Sequence, residues 1–305
     1  MSQSIRRPSA QSGVAVVTAL LLTALAVTLV AGVFWQQQVQ LRVLENQRLH
    51  GELERSLLGQ LDWAAAILNA DAKRVNNVDY LGQSWSQPLL NSHIEAESDA
   101  VVSRRIIDAQ SRYNLTNLSG DGGVNKAELA TFQRLLRNLQ LSPALAVSIA
   151  EYLRKPSEAL PPDVRSGGVL PLLHVDDLLA IPGVTPAAVE RMRDFVVVLP
   201  VPTPVNLNTA SLEVLSACFE SMTQADASFL IASRAAAYFR DAADFSARLG
   251  GNKNVSAGSN AKPVGFSSNY FLVDSQVRIG RAVGSTLSLL KRESNLSTVL
   301  WTRQQ

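Results

Sequence analysis

VAVVTALLLTALAVTLVAGVFW, from Val14 to Trp35, is twenty-two residues without a charge. As an α-helix at about 1.5 Å of rise per residue it spans roughly 33 Å, enough to cross the hydrocarbon core of a bilayer. Its polar side chains are Thr18, Thr23 and Thr28, whose hydroxyls can bond back to carbonyls one turn earlier. The preceding MSQSIRRPSAQSG carries Arg6 and Arg7 and no acid. By the positive-inside rule that basic tip is expected to stay cytoplasmic, with the rest of the chain on the far side of a single span. A cleavable secretory signal has a shorter apolar core, about 7–15 residues. An uncleaved signal anchor is the plainer alternative.

Beyond Trp35 the helix is expected to continue to about Asp71. Leu49, Leu53, Leu57, Leu61 and Leu68 fall at spacings of four and seven, with Arg42, Glu45, Arg48, Glu52 and Arg55 on other faces. No proline lies between Pro8 and Pro88, so nothing local breaks it. The stripe is too brief for a long coiled coil and is read as packing onto a globular head. The remaining composition, 47% apolar and 18% charged, is that of a folded chain rather than a disordered one. Net charge is +2, which selects no acidic partner. Cys218 is the only cysteine, which rules out an intrachain disulfide framework and reads as a small buried hydrophobe.

Turn residues Asn76, Asn77, Asp79 and Gly82 and then Pro88 precede a stretch of β-type runs from Ala100, AVVSRRIIDAQSRYNL. Residues 119–264 read as mainly helical in short pieces: LATFQRLLRNLQLS, PALAVSIAEYLRK, PAAVERMRDFVVV, ASLEVLSACFESM and ADASFLIASRAAAYFR. Ser142-Pro143, Thr185-Pro186 and Thr209-Ala210-Ser211 have the hydroxyl caps of helix starts. GGNKNVSAGSNAKPVG, from Gly250, reads as a flexible connection. Three strand-like runs follow, NYFLVDSQVRIG, STLSLLKRES and LSTVLWTRQQ. Alternation of Phe271, Val273, Val277 and Ile279 predicts a sheet with one buried face, with hairpins turning at Ala282-Val283-Gly284 and at Asn295. The fold class is therefore α+β: a long N-terminal helix packed on a small antiparallel sheet, with a large helical domain inserted.

No catalytic constellation stands out: there is no G-x-S-x-G, no H-E-x-x-H and no phosphate-binding loop, so the chain is not expected to be an enzyme. His50, His93 and His174 are dispersed. GDGGVNKAE offers Asp121 as a weak calcium candidate but lacks the alternating acids of an EF-hand, so no cofactor is required on these residues. Leu178–Met192, LLAIPGVTPAAVERM, and Val205–Phe219, VNLNTASLEVLSACF, resemble helix-hairpin-helix elements, which often bind nucleic-acid backbones. Acidic and basic residues nearly balance across this region, and Asp176 and Asp177 stand near Pro182-Gly183-Val184, so no nucleic-acid partner is expected.

Taken together, several segments resemble one family. A basic leader ending in Gly13 before an apolar helix resembles the class III leader of type IV pilins and type II secretion pseudopilins. Ile107–Leu118, IDAQSRYNLTNL, is similar to an element of the K-type minor pseudopilins, with Ser111 in place of the usual glycine. Trp35-Gln36-Gln37-Gln38 with Arg42, Glu45 and Asn46, and the N-x-N-T-A piece at Asn206–Ala210, resemble the same family. The resemblance implies cleavage by a prepilin peptidase between Gly13 and Val14, with Arg6 and Arg7 read as leader and Val14 methylated. It implies a pilin-like head with an inserted helix-hairpin-helix (SAM-like) domain: leader 1–13, membrane helix 14–35, periplasmic helix 36–71, head 72–118 and 265–305, insertion 119–264. Thr18 stands where most members carry glutamate, a departure shared by the subtype at the pseudopilus tip. Implied partners are the I- and J-type minor pseudopilins, other pseudopilins, the peptidase and the inner membrane. Some members bind calcium, but Glu151-Tyr152-Leu153-Arg154-Lys155 places basic residues where acids are expected. A membrane-anchored DNA receptor and a minor pilin of a type IV pilus are the alternatives.

Overall fold

The computed structural model describes residues 12–73, 78–93, 100–120, 123–154, 172–249, 264–293 and 296–305. One continuous helix, α1, runs Ser12–Ala72, as the unbroken proline-free run predicts. The chain divides into residues 1–55 and 56–305. In the first unit α1 is exposed along the whole apolar run, and Arg48 Nε donates to Glu52 at 2.8 Å, the expected i,i+4 pair.

In the second unit the strands of the main sheet are β1 (Leu89–His93), β2 (Ala100–Asp108), β9 (Tyr270–Ile279), β10 (Ala282–Arg292) and β11 (Ser297–Gln304). They pair antiparallel in the order β1-β2-β9-β10-β11. Between β2 and β9 the chain makes β3 (Tyr113–Asn114), β4 (Ser119–Gly120), β5 (Gly123–Val124), α2 (Lys126–Asn138) and α3 (Ala144–Arg154). It continues through α4 (Pro186–Met192), β6 (Val196–Val197), β7 (Val205–Asn206), α5 (Leu212–Cys218), α6 (Gln224–Ala236), α7 (Ala242–Arg248) and β8 (Val264–Gly265). The architecture is α+β.

Four expectations change. The sheet is buried on both faces: Ile106, Phe271, Val273 and Leu290 pack against Leu61, Ala64, Leu68 and Trp85. On the opposite face, Tyr270, Leu272 and Leu289 pack with Ala109, Val197 and Leu199. Alternation hides this, because both sets in β9 are apolar when the inserted chain covers the second face. The β9–β10 turn is at Gly280-Arg281, not at Ala282-Val283-Gly284. Ile279 pairs with Ala282, and Gly280 adopts φ +54°, the left-handed region glycine enters without strain. Asn295 lies outside the described residues. The run PAAVERMRDFVVV stops being helical at Met192, and Val196-Val197 pair parallel with Tyr113-Asn114. Around Pro182-Gly183, the first limb is a 3-10 turn, Val175–Ala180, rather than an α-helix. Of the Gly250–Gly265 connection, only Val264-Gly265 is described, as a strand parallel to Val205-Asn206.

The expected caps are present. Thr185 Oγ1 accepts from Ala188 N at 3.2 Å, with Pro186 at the first helical position, and Ser211 Oγ accepts from Val214 N at 3.3 Å. Buried Leu215, Phe132, Leu135, Ile149 and Cys218 share one core with Tyr113 and Leu115, so the capped short helices are held by packing. Ser211→Ala is expected to lower head stability by about 1 kcal/mol. Urea unfolding of the detergent-solubilised chain checks it, and an unchanged midpoint would deny the cap a role.

Candidate functional site

Three places carry candidate function: the long apolar helix, a buried polar hub, and a cleft beside the last strand. On the helix, Gly13 begins the described apolar run and Val14 is exposed. A Cβ at Gly13 would meet nothing within 4 Å, so packing in this chain does not demand glycine there. Thr18 Oγ1 donates to Val14 O and Ala15 O, both at 3.0 Å. Thr23 and Thr28 likewise donate to Leu20 O (2.9 Å) and Leu25 O (2.8 Å). Each hydroxyl is thus satisfied within the helix and is tolerable in hydrocarbon. Gly13–Ala72 is one helix long and apolar enough to cross a membrane, and its most apolar window is wholly unburied. Among the described residues this is compatible with a single-pass anchor. Arg6, Arg7 and Asp121 lie outside the described residues.

The hub joins segments that are far apart in sequence. Arg292 Nη1 donates to Asp71 at 3.1 Å, and its Nη2 donates to Asp79 at 2.6 Å and to Ser268 O at 2.7 Å. Nearby, Asp108 Oδ2 accepts from Asn206 Nδ2 (2.9 Å), Thr209 Oγ1 (2.6 Å) and Ser268 Oγ (2.7 Å), while Oδ1 accepts from Gln110 N (2.8 Å). Burial pushes the Asp108 carboxyl up to about 6, opposed by the Thr209 and Ser268 hydrogen bonds and reinforced by the charge of Asp79. The end of α1, the segment before β1, β2, β7 and β10 meet here. With its groups buried and hydrogen-bonded across five segments of the chain, the hub can hold the head together.

The segments carrying the resemblance serve the same end. Asn114 Nδ2 donates to Val201 O (2.8 Å), and its Oδ1 accepts from Leu199 N (3.1 Å). Asn117 and Thr203 exchange two bonds of 2.9 Å, and Asn208 pins both backbone groups of Phe239. These asparagines replace backbone partners where the chain has no regular ladder. Asp177 Oδ2 accepts from Leu173 N and His174 N at 2.8 Å each, making its own cap. Among the described residues no three or more His, Cys, Asp or Glu side chains converge as a metal site. In the stretch where acids are expected, Glu151 is the one described carboxylate, and residues 155–171 lie outside the described residues.

The cleft, of about 430 Å³, is lined by β11, β9, β10, the Val175–Ala180 turn and the chain after α4. Asp176 accepts from Arg193 Nη2 at 2.7 Å and from Arg303 Nη1, tying the insertion to the last strand. The Arg193 hydrogen bond, foremost, holds the Asp176 carboxyl below the usual carboxylate range. His174 meets Trp301 edge-on at 4.4 Å. Sequence reading missed this cluster. Its only local signal was the Asp176-Asp177 pair, and partners 17 and 127 residues away leave no periodic trace.

Residues 111–201 and 205–266 each match a family model described as type II secretion system (T2SS), protein K, and between them span half of the chain. The type II secretion system protein K of Pseudomonas aeruginosa is 27% identical over 92% of this chain and 89% of its own length. That of Klebsiella pneumoniae is 26% identical, covering 96% of each. The fold is similar to a chain in the crystal structure of the GspK-GspI-GspJ complex from enterotoxigenic Escherichia coli. The TM-score is 0.62 at 18% identity, covering 86% of this chain and 98% of that one. The motif residues Asn114, Asn117, Asn206 and Asn208, all buried as structural pins, fall within the two matched regions, and the chain belongs to the type II secretion system protein K family.

Proposed function

We propose that this chain is a minor pseudopilin at the tip of the type II secretion pseudopilus. There it starts assembly with the I- and J-type minor pseudopilins and aids export of folded periplasmic proteins across the outer membrane. The observation that carries the reading is the membrane helix, unburied and apolar from Val14 to Trp35, with the Thr18 hydroxyl bonded to its own backbone. An apolar cylinder of this kind needs lipid or neighbouring helices around it. A carboxylate at position 18 would need a cationic partner, such as the amino terminus of an adjacent subunit. A threonine makes no such demand, which suits a subunit with nothing ahead of it.

Gly13 supports the processing step, since the fold does not call for glycine there and a peptidase that cuts after it does. The leader with Arg6 and Arg7 stays cytoplasmic, the cut exposes Val14 for methylation, and the head lies in the periplasm. The helical insertion enlarges the head and disfavours another subunit above it. The Escherichia coli structural relative, solved with GspI and GspJ, supports the choice of partners. The role is mechanical rather than catalytic and uses no cofactor.

The test is co-expression with a prepilin peptidase and with I- and J-type subunits, followed by purification from membranes. The expected result is an intact mass beginning at Val14 and co-elution of all three proteins. A chain that retains Met1–Gly13 and elutes alone would overturn the proposal.

A further inference from the structure

The two edges of the main sheet are built differently. β1 is five residues long, its register shifts between Leu89 and Ser92, and Asn91 sits at φ +47°. Such irregularity blunts an edge against pairing. β11 is eight residues long; its register with β10 shifts between Leu289 and Leu290, and past that bulge Trp301–Gln304 run regularly with Leu289–Thr286. It contains no proline, and Arg303 is its only charge. Among the described residues no strand lies outside it. The regular stretch Trp301–Gln304, next to the cleft, presents a row of backbone donors and acceptors to an extended chain.

The chemistry beside that edge is selective. Trp301 pairs with Leu289 and Arg303 with Leu287, so both lie on the sheet face that borders the cleft. The cleft's apolar wall is Leu272, Leu287 and Trp301, and its cations are Arg112, Arg193 and Arg303. Of the carboxylates bonded to these guanidiniums, only Asp176 lines the cleft. Glu190 and Asp194 have side chains 71% and 82% exposed, where water and salt screen them. Asp176 binds Arg303 through Nη1, one of the five donors a guanidinium carries.

We infer that the outer edge of β11 and the adjoining cleft form a docking groove for an extended segment of a partner protein in which acidic and apolar side chains alternate. A strand added outside β11 sends every second side chain to the face bearing Trp301 and Arg303. An alternating segment then turns its acids to the face of Arg303 and its apolar side chains to the opposite face, beside Thr302. The main-chain ladder supplies affinity and the guanidiniums supply selection for acid. The inference goes beyond the proposed role at the tip and is read on the purified chain alone, so either can fail without the other.

The experiment titrates the full-length protein in detergent micelles into a fluorescein-labelled, end-capped peptide of five Glu-Val repeats and follows anisotropy. A Lys-Val peptide and empty micelles are the controls. Saturable binding is expected for the Glu-Val peptide, at least about tenfold weaker for the Lys-Val peptide and for R303A. Two further peptides, N-methylated at every Glu or at every Val, test the edge directly. One edge of a strand exposes the amides of alternate residues, so one pattern should abolish binding and the other spare it. These arms use the unaltered protein and do not depend on a variant folding. The inference is overturned by no saturable binding up to roughly 1 mM, by equal binding of the Lys-Val peptide, or by indifference to both methylation patterns.

Discussion

Replacing Arg292 with methionine is expected to lower the stability of the folded head by about 3–5 kcal/mol. The guanidinium is 6% exposed and bridges Asp71, 7% exposed, to Asp79, 1% exposed. It also lies 4.7 Å from the Phe271 ring, in the core that packs α1 on the sheet. Methionine retains most of the apolar stem, so the cavity contribution is small. What it removes is the cation, leaving two carboxylates out of water beside a third, Asp108. A buried carboxylate without its cation loses several kcal/mol of hydration, which neutral hydrogen bonds such as that from Ser268 N to Asp79 offset only in part. The cost should therefore come from unpaired charge rather than lost contact. Adding Asp71→Asn and Asp79→Asn to the methionine variant should recover a substantial part of the loss. Urea unfolding of the solubilised chain, followed by near-UV circular dichroism, measures both. A single-variant loss under about 1 kcal/mol, or no recovery in the triple variant, would show that the hub is not what fastens α1 to the sheet.

The same hub marks the limit of what the sequence discloses. The continuous helix was legible because its signals are local: no charge over Val14–Trp35, leucines four and seven apart, no proline. The strands at Ala100–Asp108 and Tyr270–Gln304 were legible from β-branched runs and their order around a helical segment. The second buried face of the sheet was not, because it depends on Val197 and Leu199 arriving from the insertion. Val196-Val197 read as the end of a helix because nothing local discloses a parallel partner at Tyr113-Asn114. Arg292 and Asp71 are 221 residues apart, and Arg303 and Asp176 are 127 apart. No spacing rule links such pairs. At the apolar end of α1 the sequence places Gly13, Val14 and Thr18 close together, and the geometry adds that the Thr18 hydroxyl bonds to its own helix.

The other large effect lies in the pH dependence of stability. Asp108 has a folded value of about 6, above the ordinary 3.8, with burial as the main cause. The folded chain therefore holds the Asp108 proton more tightly than the unfolded chain does between those two values. Stability should fall as pH rises through that window and level off above about 6. At 1.36 kcal/mol per unit the drop attributable to Asp108 is about 3 kcal/mol. Asp176 acts with the opposite sign: its lowered carboxyl contributes stability above the unfolded value that is lost as pH falls below it. That contribution is small because the pair with Arg193 and Arg303 is partly exposed, and its window lies below that of Asp108. Asp108→Asn separates the two. Asparagine cannot ionise, so the decline between about pH 4 and 6 should disappear while the acid limb from Asp176 persists. The variant has its own cost, because four donors converge on the two Asp108 oxygens and the amide nitrogen cannot accept from them. If its oxygen takes the Oδ2 site, its NH₂ faces Gln110 N; if reversed, it faces Asn206 Nδ2. Either conflict should cost about 1–3 kcal/mol at pH 5, where wild-type Asp108 is mostly protonated. Unfolding free energies at pH 5, 6 and 7 decide the matter: parallel curves for the two proteins would mean that Asp108 does not titrate there. A flattened Asp108→Asn curve would identify this buried carboxyl as the group that makes the hub sensitive to pH.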